Sequence, residues 1–334
     1  MHTDTTPRFA DHEAVRIAHD EYGMDARASS LPSERDQNFL LVTAGGDRFV
    51  LKIAKSDEDP SVLDLQNKAL GQIAARAPTL VVPRVLPARR GQELVQARDA
   101  RGRAHWVRLM GWLDGAMLAD VTLHDEPLLR SFGAVMAELD EALIGLSHRA
   151  MRRVLHWDIR RADQALVHLP LLDPDQQRVV SNLMHGWSAL DWQALRAGAI
   201  HGDANDHNVL VRDGRVVGLI DFGDLVHSAL ACDLAIAMAY AMLDKPRPLS
   251  VGGTIACAYH ARLPLAAAEI DALYALVAAR LCMSVCYAAH NARAKRGDAY
   301  QQVSAAPAWR LLHQLAGLRP EAVSAEWRQA CMAQ

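Results

Sequence analysis

Two clusters of polar side chains flank a short apolar hairpin in this 334-residue chain. The first cluster reads HGDANDHN at 201–208, and the second reads DFGD at 221–224. Two apolar runs lie between them, and the Asp-Gly pair that separates these runs is typical of a tight turn between antiparallel strands. Such a hairpin brings its ends together, so Asn208 is predicted to lie beside Asp221. The two clusters are therefore predicted to be halves of one site.

The side chains of this site offer oxygen ligands to a cation. Asn208 contributes an amide and Asp221 a carboxylate, with no thiolate or imidazole pair beside them, which favours hard Mg²⁺ over zinc. Asp203 is expected in the same cleft, where a carboxylate can take a proton from an alcohol or orient it for attack. A base and two metal ligands are groups that phosphoryl transfer requires. His201 is expected to be a scaffold whose ring is hydrogen-bonded within the loop.

Phosphoryl transfer also requires a cation for the donor phosphates, and Lys52 is the candidate. It lies in the strand-like run FVLKIA at 49–54, where burying an unpaired ammonium is costly. A glutamate on the following helix is the usual partner of such a lysine, but the corresponding position in this chain is Gln66. A neutral amide can orient the ammonium without neutralising it. The alternative for Lys52 is an edge-strand side chain that reaches solvent.

Turn formation is the alternative explanation for the acidic clusters, because Asp, Asn and Gly are common turn residues. Asp203 taken alone is more often a turn residue or a helix cap than a base. Three such residues at these spacings, each beside an apolar run, favour the catalytic interpretation. Asp206 and Asp224 flank the predicted metal site, and each can either bind a cationic amine of an acceptor or cap a turn or helix.

Arg280 lies in an otherwise apolar helical segment. It can pair with the carboxylate of a substrate. A buried salt bridge with Asp233 or Glu269 is the favoured alternative, because an unpaired buried charge is costly.

Strand and helix patterns divide the chain into a β-rich part at 1–110 and a mostly helical part at 111–334, which together form an α+β fold class. The first part is predicted to be a small antiparallel sheet with one internal helix, and the second carries the catalytic loop and the acceptor site. The predicted helices are 11–22, 61–77, 125–147, 174–196, 228–243, 269–291 and 307–316, and the predicted strands are 38–44, 48–54, 93–97, 104–110 and a hairpin at 208–222.

Composition excludes several classes of protein. A formal net charge of -3 gives no reason to expect nucleic acid or a membrane surface as a partner. The N-terminus lacks the apolar core of a signal peptide and no run of about 18 uncharged apolar residues occurs, so a soluble cytoplasmic protein is expected. The five cysteines are an odd number without zinc-type spacing, which favours buried, reduced thiols. The sequence does not predict the oligomeric state.

Three stretches resemble the aminoglycoside phosphotransferase family of small-molecule kinases, which share a two-lobed protein-kinase-like fold: HGDANDHNVLV, LIDFGD and FVLKI. Further stretches at 31–42, 233–243 and 280–292 are similar to the hydroxylysine kinase branch of that family. The resemblance extends from about residue 12 to residue 316. Its motifs are specific for the superfamily but not for the substrate.

The resemblance implies a role for each of the residues singled out above. Asp203 is expected to be the catalytic base, Asn208 and Asp221 to bind Mg²⁺, and Lys52 to contact the α- and β-phosphates of the nucleotide. Gln66 departs from the family pattern, a departure shared with the hydroxylysine kinase branch, and is expected to orient the lysine.

The same resemblance places the nucleotide in the first lobe, under a loop from Ser33 to Phe39 and beside a hinge from Arg108 to Trp112 that includes Met110. This loop contains no glycine, which restricts the approach of its backbone to the phosphates. The side chains of Gln37 and Asn38 are expected to contact the phosphates instead.

These features predict a kinase that uses Mg²⁺ to transfer the γ-phosphoryl group of ATP or GTP to an alcohol of a small amino compound, for example 5-hydroxylysine. An aminoglycoside or other antibiotic phosphotransferase is one alternative, but it should show a wide acidic cleft, and the acidic surplus around 203–233 is modest. A homoserine- or choline-type kinase is another. A nucleotide-binding pseudokinase regulator would not need Asp203, and a protein kinase would carry an Ala-Pro-Glu anchor after the second cluster.

Overall fold

The computed structural model describes residues 5–33, 36–293 and 299–332. The chain divides into two compact units. The first unit consists of residues 1–78, 82–114 and 148–150, and the second of residues 79–81, 115–147 and 151–334.

The first unit is built on an antiparallel sheet with the strand order β1-β2-β3-β6-β4, and β5 pairs with β6. Its strands are β1 (Ala26–Leu31), β2 (Gln37–Thr43), β3 (Arg48–Ile53), β4 (Val85–Leu86), β5 (Val95–Arg98) and β6 (Ala104–Gly111). Two helices accompany the sheet, α1 (Asp11–Tyr22) and α2 (Pro60–Arg76). The predicted antiparallel sheet with an internal helix is therefore confirmed.

Alternation of side chains along the central strands gives this sheet two different faces. One row of register partners is apolar and almost fully buried: Phe39, Leu51 and Leu109. Helix α1 contributes side chains to the same apolar cluster. The neighbouring row, one residue along each strand, is polar and lies on the opposite face: Asn38, Lys52 and Arg108. The period of two thus places the predicted phosphate-binding lysine away from the core of the sheet.

The second unit is mostly helical. Its helices are α3 (Glu126–Leu143), α4 (Pro174–Ser188), α5 (Leu230–Ala241), α6 (Pro248–Arg262), α7 (Ala267–Arg293), α8 (Ala299–Ala316) and α9 (Pro320–Met332). Its strands are β7 (Ala116–Met117), β8 (Ala197–Ile200), β9 (Val209–Arg212), β10 (Arg215–Leu219) and β11 (Val226–Ala229). Short 3₁₀ segments cover Leu118–Asp120, Ile159–Leu171 and Phe222–Asp224.

Two small sheets position the polar clusters of the second unit. Strands β9 and β10 form the predicted hairpin, and β7 pairs with the free side of β9. Strands β8 and β11 pair with Ile200 opposite Val226, so the cluster that follows β8 lies beside the one that precedes β11. Gly218 in β10 is required where Val81 crosses the hairpin, because a Cβ there would lie 1.7 Å from the Val81 carbonyl oxygen.

Helix α7 is the central helix of the second unit. It has 27 residues and is apolar enough, by length and composition alone, to cross a membrane, but 89% of its most apolar window is buried within the protein. A helix that is apolar all round is expected where other elements surround it, and α4, α5, α8 and α9 all pack against α7. All five cysteines lie within the described residues, buried and without disulfide bonds, as expected.

Helices α6 and α9 are absent from the sequence prediction. The Gly252-Gly253 pair within α6 lowers its intrinsic helix propensity. In the structure these glycines lie against α9, where a Cβ at Gly253 would be 3.1 Å from the ring of Trp327. The close packing of α6 and α9, rather than local propensity, thus stabilises this pair of helices.

The bounds of two other helices differ from the prediction. Helix α4 ends at Ser188, eight residues before the predicted end at 196. Helix α8 begins at Ala299 and runs through Pro307, whereas the predicted helix begins at residue 307.

Candidate active site

The loop that follows β8 is held by a carboxylate on α5. Asp233 is fully buried, and its Oδ2 and Oδ1 accept hydrogen bonds from the backbone N–H groups of His201 and Gly202, each at 2.8 Å. Gly202 has a φ of 80°, and a Cβ there would lie 2.6 Å from the carbonyl oxygen of Asp224. The conformation of this loop therefore depends on both the glycine and the buried carboxylate.

The ring of His201 joins the two polar clusters. Its Nδ1 accepts a hydrogen bond from the Asp203 backbone N–H at 3.2 Å, so Nε2 is the protonated nitrogen and donates to the Ile220 carbonyl at 3.0 Å. The ring also lies edge-on to Phe222, with centroids 4.6 Å apart. The predicted scaffold role of His201 agrees with these contacts, since both ring nitrogens are used within the loop.

The Asp203 carboxylate receives one donor on each oxygen. Arg280 Nη2 lies 2.7 Å from Oδ1, and the Asn208 amide nitrogen lies 2.9 Å from Oδ2. The side chain is 24% exposed, so the carboxylate still reaches solvent. Burial raises the pKa of Asp203 to about 7, opposed by the charge of Arg280 and assisted by that of Asp224. A carboxylate poised near neutrality is suited to general base catalysis.

Asn208 and Asp221 are neighbours, as the hairpin predicts. The Ile220 backbone N–H donates to the Asn208 carbonyl at 2.9 Å, which brings position 221 beside Asn208. The Asn208 amide nitrogen donates to the carbonyl and to Oδ2 of Asp203, so its amide oxygen faces the other way. Asp221 is exposed, has a φ of 60°, and accepts a hydrogen bond from the Gly223 backbone N–H at 3.1 Å. Asp tolerates this left-handed conformation better than most residues.

These two side chains fit a hard divalent cation. Among the described residues, no group of three or more His, Cys, Asp or Glu side chains is placed to hold a metal by itself. An amide oxygen and a carboxylate provide two oxygen ligands, and Mg²⁺ commonly takes its remaining ligands from water and substrate phosphates. The donor set of Asn208 and Asp221 is therefore suited to a cation that arrives with a phosphorylated ligand.

The predicted salt bridge of Arg280 with Asp233 or Glu269 is wrong. Asp233 is occupied by the loop backbone, and Glu269 pairs with Arg196 through two hydrogen bonds of 2.8 and 2.6 Å. Arg280 instead bonds to Asp203, which is 77 residues away in the chain. Asp233 and Glu269 already accept hydrogen bonds from these other groups, so neither carboxylate pairs with Arg280.

Asp224 and Asp206 occupy different surroundings. Asp224 is buried, and its charge raises the pKa of Asp203, so the two carboxylates are close. Asp206 is partly buried, and its charge acts on His124 and Lys245 instead. Binding of an acceptor amine remains a prediction for both residues, and the position of Asp224 favours it over Asp206.

In the first unit, Asn38 and Lys52 lie side by side on the polar face of the sheet. The Asn38 amide oxygen is buried and has no hydrogen-bond partner within the described residues, which leaves it available to a ligand. Gln37 points to the other face, where its amide accepts from and donates to the Phe9 backbone, both at 2.8 Å. The expected phosphate contact of Gln37 is thereby corrected, because both polar groups of its side chain hold the N-terminal segment.

Gln66 has a partner that the sequence did not indicate. Its amide oxygen accepts a hydrogen bond from Arg108 Nη2 at 2.8 Å, and the neighbouring Asn67 accepts from Nη1 at 3.0 Å. Arg108 faces Lys52 across the strand pair β3–β6. Gln66 is therefore a ligand of a buried guanidinium, and any contact with the lysine remains a prediction.

The hinge and loop predicted around the nucleotide are only partly described. Met110 lies buried near the end of β6, and the ring of Trp112 lies 5.3 Å from the Arg48 guanidinium. In the predicted loop, positions 34 and 35 lie outside the described residues, and Gln37 already belongs to β2. The roles of Met110 and Trp112 beside a purine stay predictions.

Sequence reasoning missed the role of Asp233. The signal was present, because a carboxylate within the apolar run LACDLAIAMAYA must find donors when it is buried. It also missed Asn205, whose amide oxygen accepts from the His207 backbone N–H at 2.9 Å and shapes the turn before Asn208. Asn205 is indistinguishable in the sequence from an ordinary turn residue.

An antiparallel sheet with a lysine on its polar face, together with a helical unit that presents an Asp-Asn-Asp cluster, defines a kinase-like phosphotransferase. The model of the APH family, described as a phosphotransferase enzyme family, matches residues 27–270. The chain belongs to this family and has its kinase-like fold. It is thus a small-molecule kinase that acts on an alcohol group.

Relatives of known function are similar over different lengths. A hydroxylysine kinase of Danio rerio is 28% identical over 347 residues, covering 98% of this chain and 97% of the relative. A homoserine kinase of Granulibacter bethesdensis is 29% identical over 249 residues, covering 71% and 72%. Among solved structures, an amicoumacin kinase in complex with AMP-PNP, Ca²⁺ and Ami has a TM-score of 0.71 at 13% identity, covering 94% of this chain and 97% of that one. At that identity the likeness shows the fold.

Proposed function

We propose that this kinase transfers the γ-phosphoryl group of ATP or GTP to the hydroxyl of a small amino acid, with 5-hydroxylysine as the first candidate. The observation that carries the proposal is the geometry of Asp203, whose carboxylate is oriented by Arg280 and Asn208 while remaining partly exposed. A nearly full-length likeness to hydroxylysine kinases supports this choice of acceptor.

In this mechanism Asp203 accepts the proton of the acceptor hydroxyl as its oxygen attacks the γ-phosphorus, and the nucleoside diphosphate leaves. Asn208 and Asp221 would hold Mg²⁺, which supplies charge neutralisation to the donor phosphates. Asp233 keeps the loop in place through the backbone of His201 and Gly202.

Lys52 would bind the donor phosphates, because it lies on the polar face of the sheet beside the unpartnered Asn38 amide oxygen. Met110 and Trp112 would lie beside the purine. These assignments rest on the resemblance of the first unit to the nucleotide-binding part of kinases. A cytoplasmic location, where nucleotide is abundant, belongs to the same proposal.

Homoserine is the second candidate acceptor. The homoserine kinase of Granulibacter bethesdensis matches about seven-tenths of the chain at 29% identity, slightly above the identity of the hydroxylysine kinase. Both names denote amino acids with a side-chain hydroxyl, so an ammonium and a carboxylate are the groups an acceptor site must recognise. Asp224, buried beside Asp203, is the proposed partner of the ammonium.

A coupled assay of ADP and GDP release across acceptors tests the proposal. The panel contains hydroxylysine, homoserine, choline, ethanolamine and several aminoglycosides, each with either donor. We expect the largest kcat/KM with hydroxylysine, and an Asp203→Asn variant that still binds nucleotide but turns over about 10² to 10⁴ times more slowly, because the base is lost.

A larger kcat/KM with an aminoglycoside than with hydroxylysine would contradict the proposed acceptor and indicate an antibiotic phosphotransferase. Nucleotide binding without turnover for every acceptor would indicate a regulatory pseudokinase. An Asp203→Asn variant as fast as the wild type would contradict the assignment of the base.

A further inference from the structure

We infer that Arg280 is a positioning residue for the catalytic base and not a ligand of the acceptor. This inference rests on the proposed function. Arg280 lies in the buried helix α7, its side chain is 2% exposed, and one of its terminal nitrogens contacts Asp203 Oδ1 at 2.7 Å. A guanidinium in this place leaves little surface for an incoming carboxylate.

The orientation of the Arg280 guanidinium is fixed by groups other than Asp203. Its second terminal nitrogen donates to the Trp157 carbonyl at 3.2 Å, and its Cζ lies 4.7 Å from the Trp157 ring centroid and 5.5 Å from that of Tyr240. Tyr287 in turn packs edge-on against the Trp157 ring, with centroids 4.7 Å apart. Aromatic faces hold a guanidinium flat, so its N–H groups point in one direction.

The fixed guanidinium sets the direction of the Asp203 carboxylate. One oxygen is bonded to Arg280 and the other to Asn208, so rotation about the last side-chain torsion would break both contacts. A carboxylate has about four lone-pair positions. Arg280 and Asn208 bind two of them, and this fixes the directions of the other two. Because misplacing a catalytic group by about 1 Å can cost about 10²-fold in rate, this restraint matters for turnover.

Charge supports the same role. Asp203, Asp221 and Asp224 form a cluster of three carboxylates, since the charges of the last two act on Asp203. Arg280 also interacts with the charge of Asp224. The positive charge of Arg280 therefore offsets part of the repulsion among these carboxylates.

The test compares Arg280→Met and Arg280→Lys with the wild type on two acceptors, hydroxylysine and its decarboxylated analogue 1,5-diaminopentan-2-ol. A positioning role predicts that Arg280→Met lowers kcat by about 10²-fold on both acceptors, while KM for each changes little. Arg280→Lys retains the positive charge and should recover part of kcat. An acceptor-binding role predicts instead a higher KM for hydroxylysine alone, and that result would overturn the inference.

Arg196→Met is the matched control, because it breaks another arginine–carboxylate pair at the start of the same helix, with Glu269. It should lower the melting temperature and leave kcat unchanged. If Arg280→Met fails to fold, Arg280→Lys and Trp157→Leu carry the test, and kcat equal to the wild type in both would overturn the inference.

A kcat loss in Arg196→Met equal to that in Arg280→Met would also overturn it, because a general loss of helix stability would then explain both. Absence of turnover in the wild type would overturn the proposed function, and this inference with it. Wild-type turnover with an equally active Arg280→Met variant would overturn the inference alone.

Discussion

Asp233 accepts hydrogen bonds from two consecutive backbone amides at the start of the loop that follows β8. A second carboxylate, Asp140 on α3, lies behind it and is fully buried. The Asp140 Oδ2 accepts a hydrogen bond from the Tyr259 hydroxyl at 2.6 Å. Burial and the charge of Asp233 both raise the pKa of Asp140 well above its ordinary value. Both effects favour the protonated form of Asp140 in the native state.

Replacing Asp140 by an uncharged isostere tests this protonation state. The native state keeps a proton on Asp140 that the unfolded state releases above a pH of about 4, so this group lowers the free energy of unfolding as the pH rises from there towards its native pKa. Asp140→Asn removes that loss. We expect its stability relative to the wild type to increase between about pH 5 and pH 7.5, measured by urea unfolding.

Asp140→Leu is the control for the hydrogen bond. It leaves the buried Tyr259 hydroxyl without its acceptor and should be about 1–3 kcal/mol less stable than Asp140→Asn at both pH values. An advantage of Asp140→Asn that is the same at both pH values would show that Asp140 carries no excess proton in the native state.

At the scale of elements, the packing of α3 against α6 depends on one glycine. A Cβ at Gly133 would lie 2.1 Å from the carbonyl oxygen of Ile255 and 2.9 Å from the Ala258 Cβ. The partner atoms are backbone and a short side chain, so they cannot move aside as the end of a flexible side chain can. The two helices therefore approach each other closely only because position 133 has no side chain.

Gly133→Ala should destabilise the protein by at least the 1–3 kcal/mol typical of overpacking, because the helix axes must separate. The matched control is Gly71→Ala on the exposed side of α2, where a Cβ would meet nothing within 4 Å. There the same substitution should stabilise by about 1 kcal/mol through helix propensity. Urea unfolding should show a lower free energy of unfolding for Gly133→Ala and a higher one for Gly71→Ala. Equal changes in the two variants would contradict the role of Gly133 in packing.

The sequence predicted well those elements whose structure depends on a pattern within a few neighbouring residues. Helix α1 and the β9–β10 hairpin have the bounds or the turn that their patterns indicate, because amphipathic spacing and an Asp-Gly turn act within a few residues. Helix α6 was missed because its stability comes from α3 and α9, which lie far away in the chain.

At the scale of the whole molecule, Asn208 and Asp221 of the second unit are proposed to bind a magnesium nucleotide. Because such a ligand binds the native state, it should increase the free energy of unfolding by about 2.7 kcal/mol at a concentration 100 times Kd. The melting temperature should rise accordingly. Chelation of the cation with EDTA should remove most of that shift. Asp221→Asn should reduce the Mg²⁺-dependent part of the shift, since it removes a carboxylate ligand.

Asp213→Asn is the control for that variant. Asp213 is exposed in the same hairpin and has a φ of 50°, close to the 60° of Asp221, so the backbone strain of the two substitutions is matched. We expect Asp213→Asn to leave the nucleotide shift unchanged. A shift equally reduced in both variants would indicate a loss of hairpin structure and not of a metal ligand.

The sequence by itself determined the local features of this protein: the hairpin that joins Asn208 to Asp221, the strand that contains Lys52, and the position of Asp203 in its loop. Each depends on spacing or alternation over a few residues, which a pattern records directly. Only the tertiary structure decided that Arg280 contacts Asp203, that Asp233 holds the loop, and that Gln66 binds Arg108. These pairs lie 31 to 77 residues apart, and several acidic or polar side chains compete for each partner, so packing alone selects among them.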